Sequence, residues 1–311
     1  MPNRRLFWVL TNRCNLGCKF CYYNIGLEKR KVSKLSITKV AKIVEQLPEF
    51  FDDIVLTGGE PLTYPGIMNL IALLKKKKLR VSLLTNGVLL NKKNCKQLIS
   101  LGVDSISISL DSLSSKINDL SRGKTKMVLK GINNLLLERP KHINITVLQG
   151  FSRYNINSIR PMVDYCKKNN LSLWLNPMQL GSDLKRATGV RLENCSKKEL
   201  DLLKNEMLYW AKNIKKKSYK KYLRAKKYIK YCLLLMEGKK PKKITCPMGS
   251  SFFVLDVDGD IHPCFLRKDI LLGNIYKKKL SNILSNPEFR VTLLELKIAP
   301  CVQLGCVCFA S

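Results

Sequence analysis

The segment TNRCNLGCKFC places Cys14, Cys18 and Cys21 within eight residues, spaced x3 then x2. Such a loop can turn several thiolates toward one centre. Structural zinc wants four ligands in a closed shell. Here only three thiols are close and no histidine follows nearby. A four-iron, four-sulfur cube offers four iron corners. Three thiolates would leave one corner open to a small ligand. A second group lies late in the chain: Cys246 and Cys264, then Cys301, Cys306 and Cys308. Four isolated cysteines, Cys95, Cys166, Cys195 and Cys232, read as buried structural thiols. Asp256, Asp258 and Asp260 do not form a calcium loop, because positions six and twelve are Ile261 and Arg267.

Elements must carry these groups. Six β-like runs alternate with helical patterns in the first 177 residues: 6–11, 53–59, 80–87, 104–112, 143–150 and 171–177. Between them, ITKVAKIVEQL, GIMNLIALLKKKK, NKKNCKQLISLG, KMVLKGINNLLLE and NINSIRPMVDYCKKN have apolar residues at helical spacing. This order predicts an α/β fold with a parallel sheet, either an open sheet or a partial barrel. In both, chemistry belongs at the C-terminal strand ends. The unusual residues collect there: the cysteine loop after the first strand, Gly58, Gly59 and Glu60 after the second, Thr85 and Asn86 after the third, Ser109 and Asp111 at the fourth. The expected units are a barrel over 1–211, a basic helical linker over 212–243 and a small cysteine-bearing unit over 244–311. The linker holds fourteen Lys or Arg and one acid. SFFVLDV, DGD and IHPC in the last unit read as a β-hairpin.

With the strand context in place, RCNLGCKFC resembles the Cx3CxφC loop of radical S-adenosylmethionine (SAM) enzymes, with Phe20 as φ. The resemblance implies a partial (β/α)6 barrel and a [4Fe–4S] cluster on Cys14, Cys18 and Cys21. It implies that SAM chelates the open iron and is cleaved reductively to a 5′-deoxyadenosyl radical. VLTGGEPL resembles the family's GGE motif, with Gly58 and Gly59 allowing close backbone approach and Glu60 facing the SAM ammonium. Thr85, Asn86, Ser109, Asp111 and Asn155 match polar positions that contact SAM in such enzymes, and Met178 matches the apolar position against adenine. For each of these, a turn, cap or core role is the competing reading. The late cysteines resemble the SPASM/twitch appendage, a small hairpin and helix unit. The implied ligands of one auxiliary [4Fe–4S] cluster are Cys246, Cys264, Cys301 and Cys306, with Cys308 the rival for the last place. The spacing Cx4CxC departs from the usual late pair, and a zinc knuckle on the same residues is the alternative.

Composition narrows the partners. Hydrophobic residues make up 45% of the 311, so the chain is globular. No apolar run approaches membrane-spanning length, and LFWVL is too short for a signal peptide core. The expected location is the cytoplasm, with no membrane partner, where clustered cysteines bind metal rather than pair as disulfides. The net charge of +33 suits an acidic peptide or phosphorylated substrate. It also fits lysines that are simply solvated. No stacking module for single-stranded nucleic acid is evident. The reading is therefore an enzyme acting on a peptide or small natural product. Its auxiliary cluster would support oxidation or cross-linking, and a reductase or flavodoxin-type donor would supply electrons. A radical epimerase, an RNA-modifying enzyme and a non-enzymatic zinc protein that binds nucleic acid are the alternatives. The chain starts at its first strand, so no N-terminal leader-binding domain is expected.

Overall fold

The computed structural model describes residues 4–19, 21, 37–138, 143–178, 195–215, 218–236, 249–265 and 267–287. Strands β1 (Arg5–Val9), β2 (Asp53–Thr57), β3 (Arg80–Thr85), β4 (Ser105–Ser109), β5 (Asn144–Phe151) and β6 (Ser172–Pro177) pair in sequence order, all parallel. Helices α1 (Ile37–Gln46), α2 (Ile67–Lys76), α3 (Lys92–Ser100), α4 (Ser115–Ser121), α5 (Thr125–Glu138) and α6 (Ile159–Lys168) lie between them. The arrangement is an α/β sheet of six parallel strands with helices between them that does not close into a full barrel, one of the two forms the sequence predicted.

Alternation along the strands separates two faces. Leu6, Trp8, Ile54, Leu56, Val81, Leu83, Ile106, Ile108, Ile145 and Val147 are buried in one core with the helices. Their partners at the intervening positions (Phe7, Ser82, Ser105, Ser107, Ser109 and Thr146) are only half-buried and face the other side. Helix α2 shows why these segments are helical. Ile67, Leu70, Ile71 and Leu74 recur on one buried face, and Lys75 and Lys76 complement the negative end of its dipole. Helix α3 is capped by Asn91, whose side chain accepts from the Asn94 N–H at 2.8 Å.

Two features differ from the expectation. The late hairpin forms as read, with β7 (Phe252–Leu255) antiparallel to β8 (Asp260–His262), and β9 (Gly273–Asn274) follows before the short α9 (Leu280–Leu284). Yet β7 also pairs parallel with β1, so one nine-stranded sheet runs β6-β5-β4-β3-β2-β1-β7-β8-β9. In its described residues, the basic segment expected as a linker over 212–243 comprises the end of α7 (Lys197–Lys215) and α8 (Tyr219–Met236), with 216–217 and 237–243 lying outside the described residues. Ala225, Tyr228, Ile229 and Cys232 of α8 join Leu203, Met207, Trp210 and Ala211 of α7 in a second core beside Phe151 and Leu175. The charge run is the outer face of a packed helix, and its apolar spacing decided the outcome. The pair covers β6 and supplies donors to its backbone. Trp210 Nε1 donates to the Leu173 carbonyl at 3.0 Å, and the Tyr228 hydroxyl donates to the Leu175 carbonyl at 2.7 Å. Among the described residues, no helix is long and apolar enough to cross a membrane.

Candidate metal and cofactor centre at the strand ends

The stem of the cysteine loop, Thr11–Arg13, runs beside the turn that follows β2. Gly59 N donates to the Thr11 carbonyl at 2.7 Å and Glu60 N to the Arg13 carbonyl at 2.8 Å. A Cβ on Gly58 would stand 2.5 Å from the Thr11 carbonyl oxygen, and one on Gly59 2.3 Å from that of Arg13. Gly58 also holds φ at +151°, a backbone region that side chains disfavour. The two glycines thus admit the loop stem itself. The sequence reading gave that space to a ligand.

Glu60 is fully buried. Its Oε1 accepts from Thr85 Oγ1 at 2.7 Å and from Leu62 N at 3.1 Å, and its Oε2 accepts from Asn86 N at 2.7 Å. Burial pushes the carboxyl pKa up, and these hydrogen bonds pull it back. Glu60 therefore clamps the turn after β3 to the turn after β2. Thr85 is buried and Asn86 half-buried. Asn86 reaches back to the loop: its Nδ2 donates to Asn15 Oδ1 at 2.7 Å and lies 3.8 Å from Cys14 Sγ. The chain Gly59–Glu60–Asn86–Cys14 links three strand ends to the first thiol.

Cys14, Cys18 and Cys21 are all half-buried thiols outside any disulfide. Burial pushes Cys18 up to about 11; the Arg122 charge lowers it, and Cys21, Cys14 and Asp111 raise it further. Burial also raises Cys14, with a backbone hydrogen bond from Leu16 opposing and the Glu60 and Cys21 charges adding. Cys14 and Cys18 thus resist becoming thiolates in the metal-free protein. A positive iron centre reverses that balance, because it binds the deprotonated form. Three mutually repelling thiols on one loop suit such a centre. Among the described residues, no three His, Cys, Asp or Glu converge as ligands of a single ion would. Thiolates on a cube take different corners, so they need not converge.

Asp111 and Asn155 lie deeper. Asp111 is buried, with Oδ1 accepting from Gly150 N and Oδ2 from Ser121 Oγ, both at 2.9 Å. Asn155 donates to the carbonyls of Asp111 at 3.1 Å and Gly150 at 2.8 Å, and accepts from Ser152 N at 2.7 Å. Its side-chain bonds serve the turns after β4 and β5, which is the turn role that competed with cofactor contact. Ser109 ends β4 half-buried, and the half-buried Met178 packs within van der Waals reach of Gly150. Arg122 was missed. Its Nε stands 2.8 Å from Asp111 Oδ2, with the N–H turned off the direct line. Its residue sits between α4 and α5, where no strand-end pattern singles it out. Cys264 is buried just past β8. Phe20, Cys246, Cys301, Cys306 and Cys308 lie outside the described residues.

The family model of the Radical SAM superfamily matches residues 8–160, and that of an iron–sulfur cluster-binding domain, SPASM, matches residues 246–306. The antilisterial bacteriocin subtilosin biosynthesis protein AlbA of Bacillus subtilis is 26% identical over 302 residues, spanning 92% of this chain. The chain covers only 60% of AlbA's own length. A probable GTP 3′,8-cyclase of Methanococcus vannielii is 28% identical over 272 residues, 85% of each protein. The solved structure of Streptococcus suis SuiB bound to precursor peptide SuiA superposes with a TM-score of 0.68 at 17% identity, covering 94% of this chain and 66% of that one.

Proposed function

From the premise that this chain belongs to the radical SAM superfamily and carries a SPASM-like iron–sulfur domain, we propose that it modifies a ribosomally made peptide by hydrogen-atom abstraction. It is an enzyme that uses a [4Fe–4S] cluster, SAM and auxiliary iron–sulfur chemistry. When bound, the cluster and SAM supply a 5′-deoxyadenosyl radical, which removes a hydrogen atom from carbon. The observation that carries the reading is the thiol loop seated on the Gly58–Gly59 turn at the C-terminal end of the parallel strands.

In this reading Cys14, Cys18 and Cys21 hold the cluster and leave one iron for SAM. Gly58 and Gly59 fix the loop stem. Glu60 positions Thr85 and Asn86, and Asn86 orients the loop through Asn15 and Cys14. Asp111, Asn155 and Gly150 brace the far wall, with Ser109 and Met178 bordering the space for SAM. Cys264 joins Cys246, Cys301 and either Cys306 or Cys308 around one auxiliary cluster, which serves oxidation or cross-linking. Electrons come from a flavodoxin-type donor in the cytoplasm.

The peptide assignment draws on AlbA, named for bacteriocin biosynthesis, and on SuiB, solved with a precursor peptide. The opposite face of the strands adds support, because Ser107 and Ser109 place half-buried hydroxyls along the C-terminal half of β4. Such a surface suits the neutral side chains and amides of a peptide. A nucleotide substrate is the second reading, favoured by the cyclase similarity across 85% of both chains. The test is anaerobic reconstitution with iron and sulfide, reduction, and mass spectrometry of peptides from adjacent genes. Formation of 5′-deoxyadenosine with a peptide lighter by two hydrogens is the expected result. Consumption of GTP with untouched peptide would transfer the assignment to the second reading. No 5′-deoxyadenosine under any condition would defeat both.

A further inference from the structure

Arg122 holds a place that the site description leaves unused. The turn between α4 and α5 grips the cysteine loop at its second thiol and at the residue after it. Cys18 Sγ lies 3.9 Å from the Arg122 carbonyl, and Lys19 N donates to the Ser121 carbonyl at 3.0 Å. The same turn places the Arg122 guanidinium 2.8 Å from the Asp111 carboxylate. Asp111 is 1% exposed, so its charge needs this cation nearby. Arg122 is about three-quarters buried, with side-chain exposure of 25%, so solvent screens its charge weakly. Arg122 is therefore a fixed charge carried on the turn that touches Cys18.

A fixed cation beside thiolate-held iron stabilises the reduced form, which carries one more negative charge. A fixed anion does the reverse. We propose that Arg122 and Asp111 together set the reduction potential of the centre held by Cys14, Cys18 and Cys21, with Arg122 raising it and Asp111 restraining it. This rests on the ligand reading above. Arg122 is a positioning residue whose work is electrostatic, and the electron itself comes from the external donor.

An EPR-monitored redox titration of the reconstituted full chain, run without SAM, tests the pair. The relevant signal is the one abolished by serine at all three cysteines. Arg122→Gln should move its midpoint to more negative potential, and Asp111→Asn should move it to more positive potential. Arg122→Lys keeps the charge and should stay near the unmodified value. Should Arg122→Gln fail to hold iron, the positive shift in Asp111→Asn and the retained value in Arg122→Lys still decide. Midpoints that do not move, or that move in the same direction, overturn the inference. The ligand reading fails separately, if serine at the three cysteines leaves every signal in place.

Discussion

The crest of the sheet near β1–β4 and its edge at β6 are built from opposite materials. At the crest, side chains are short, polar or absent, and backbone meets backbone through Gly58 and Gly59. At the edge, Trp174, Trp210 and Tyr228 pack edge-to-face or tilted with ring centroids 5.4–6.2 Å apart and close the second core. The edge spends its polar atoms on satisfying β6 carbonyls. The crest spends them on holding one carboxylate and three thiols. A large apolar contact tolerates a lost hydrogen bond, whereas a clamp of single hydrogen bonds does not. Stability should therefore concentrate at the edge and chemistry at the crest.

The largest expected effect breaks the edge. Trp210→Ala should cost about 4 kcal/mol of stability, read as a fall in unfolding midpoint, while protein that stays folded still loads iron. Equal losses of iron per folded molecule would contradict the division. Next comes Gly59→Ala, where overpacking against the Arg13 carbonyl costs about 3 kcal/mol. It should lower iron content far more than Trp210→Ala does at matched folded fraction. Glu60→Gln comes third, at about 2 kcal/mol. An amide cannot accept from Thr85, Leu62 and Asn86 as the carboxylate does, because one of its ends donates. Iron content and SAM affinity should fall together, and unchanged SAM affinity would remove Glu60 from the site. Tyr228→Phe removes one buried hydrogen bond to Leu175 and should cost about 1 kcal/mol, with no effect on iron.

A pH dependence of the metal-free protein draws on both regions. Cys18 and Cys95 are pushed up to about 11 and Cys232 to about 12 by burial, from 9.0 in the open chain. The folded state thus binds more protons than the unfolded state above pH 9. Stability should be level below that and fall progressively toward pH 11–12. Thermal melts across that range check it. Iron-loaded protein should lose the share due to Cys18, because its proton has already left.

Much of the site was legible because its types and spacing are local. Three thiols within eight residues need only a loop, and Glu60 with its two glycines needs only the next strand end. Helix α8 was legible as a helix, with Ala225, Ile229 and Cys232 on one face, but its neighbour was not. A run of lysines conceals a packed face, since periodicity reports what is apolar and not what covers it. Arg122 was illegible for a related reason. Its partner Asp111 is eleven residues away along the chain, across a helix that the pattern 115–121 does not announce.

The amino-acid order alone therefore specified the alternation of strands and helices, the C-terminal hairpin and the three-thiol loop, because each arises from contacts a few residues apart. Tertiary structure decided the rest: that β7 joins β1 in one sheet, that α7 and α8 seal β6, and that Glu60 faces inward to Thr85 and Asn86. Those outcomes depend on which surfaces lose water together, and burial is a property of the assembled chain rather than of any short stretch of it.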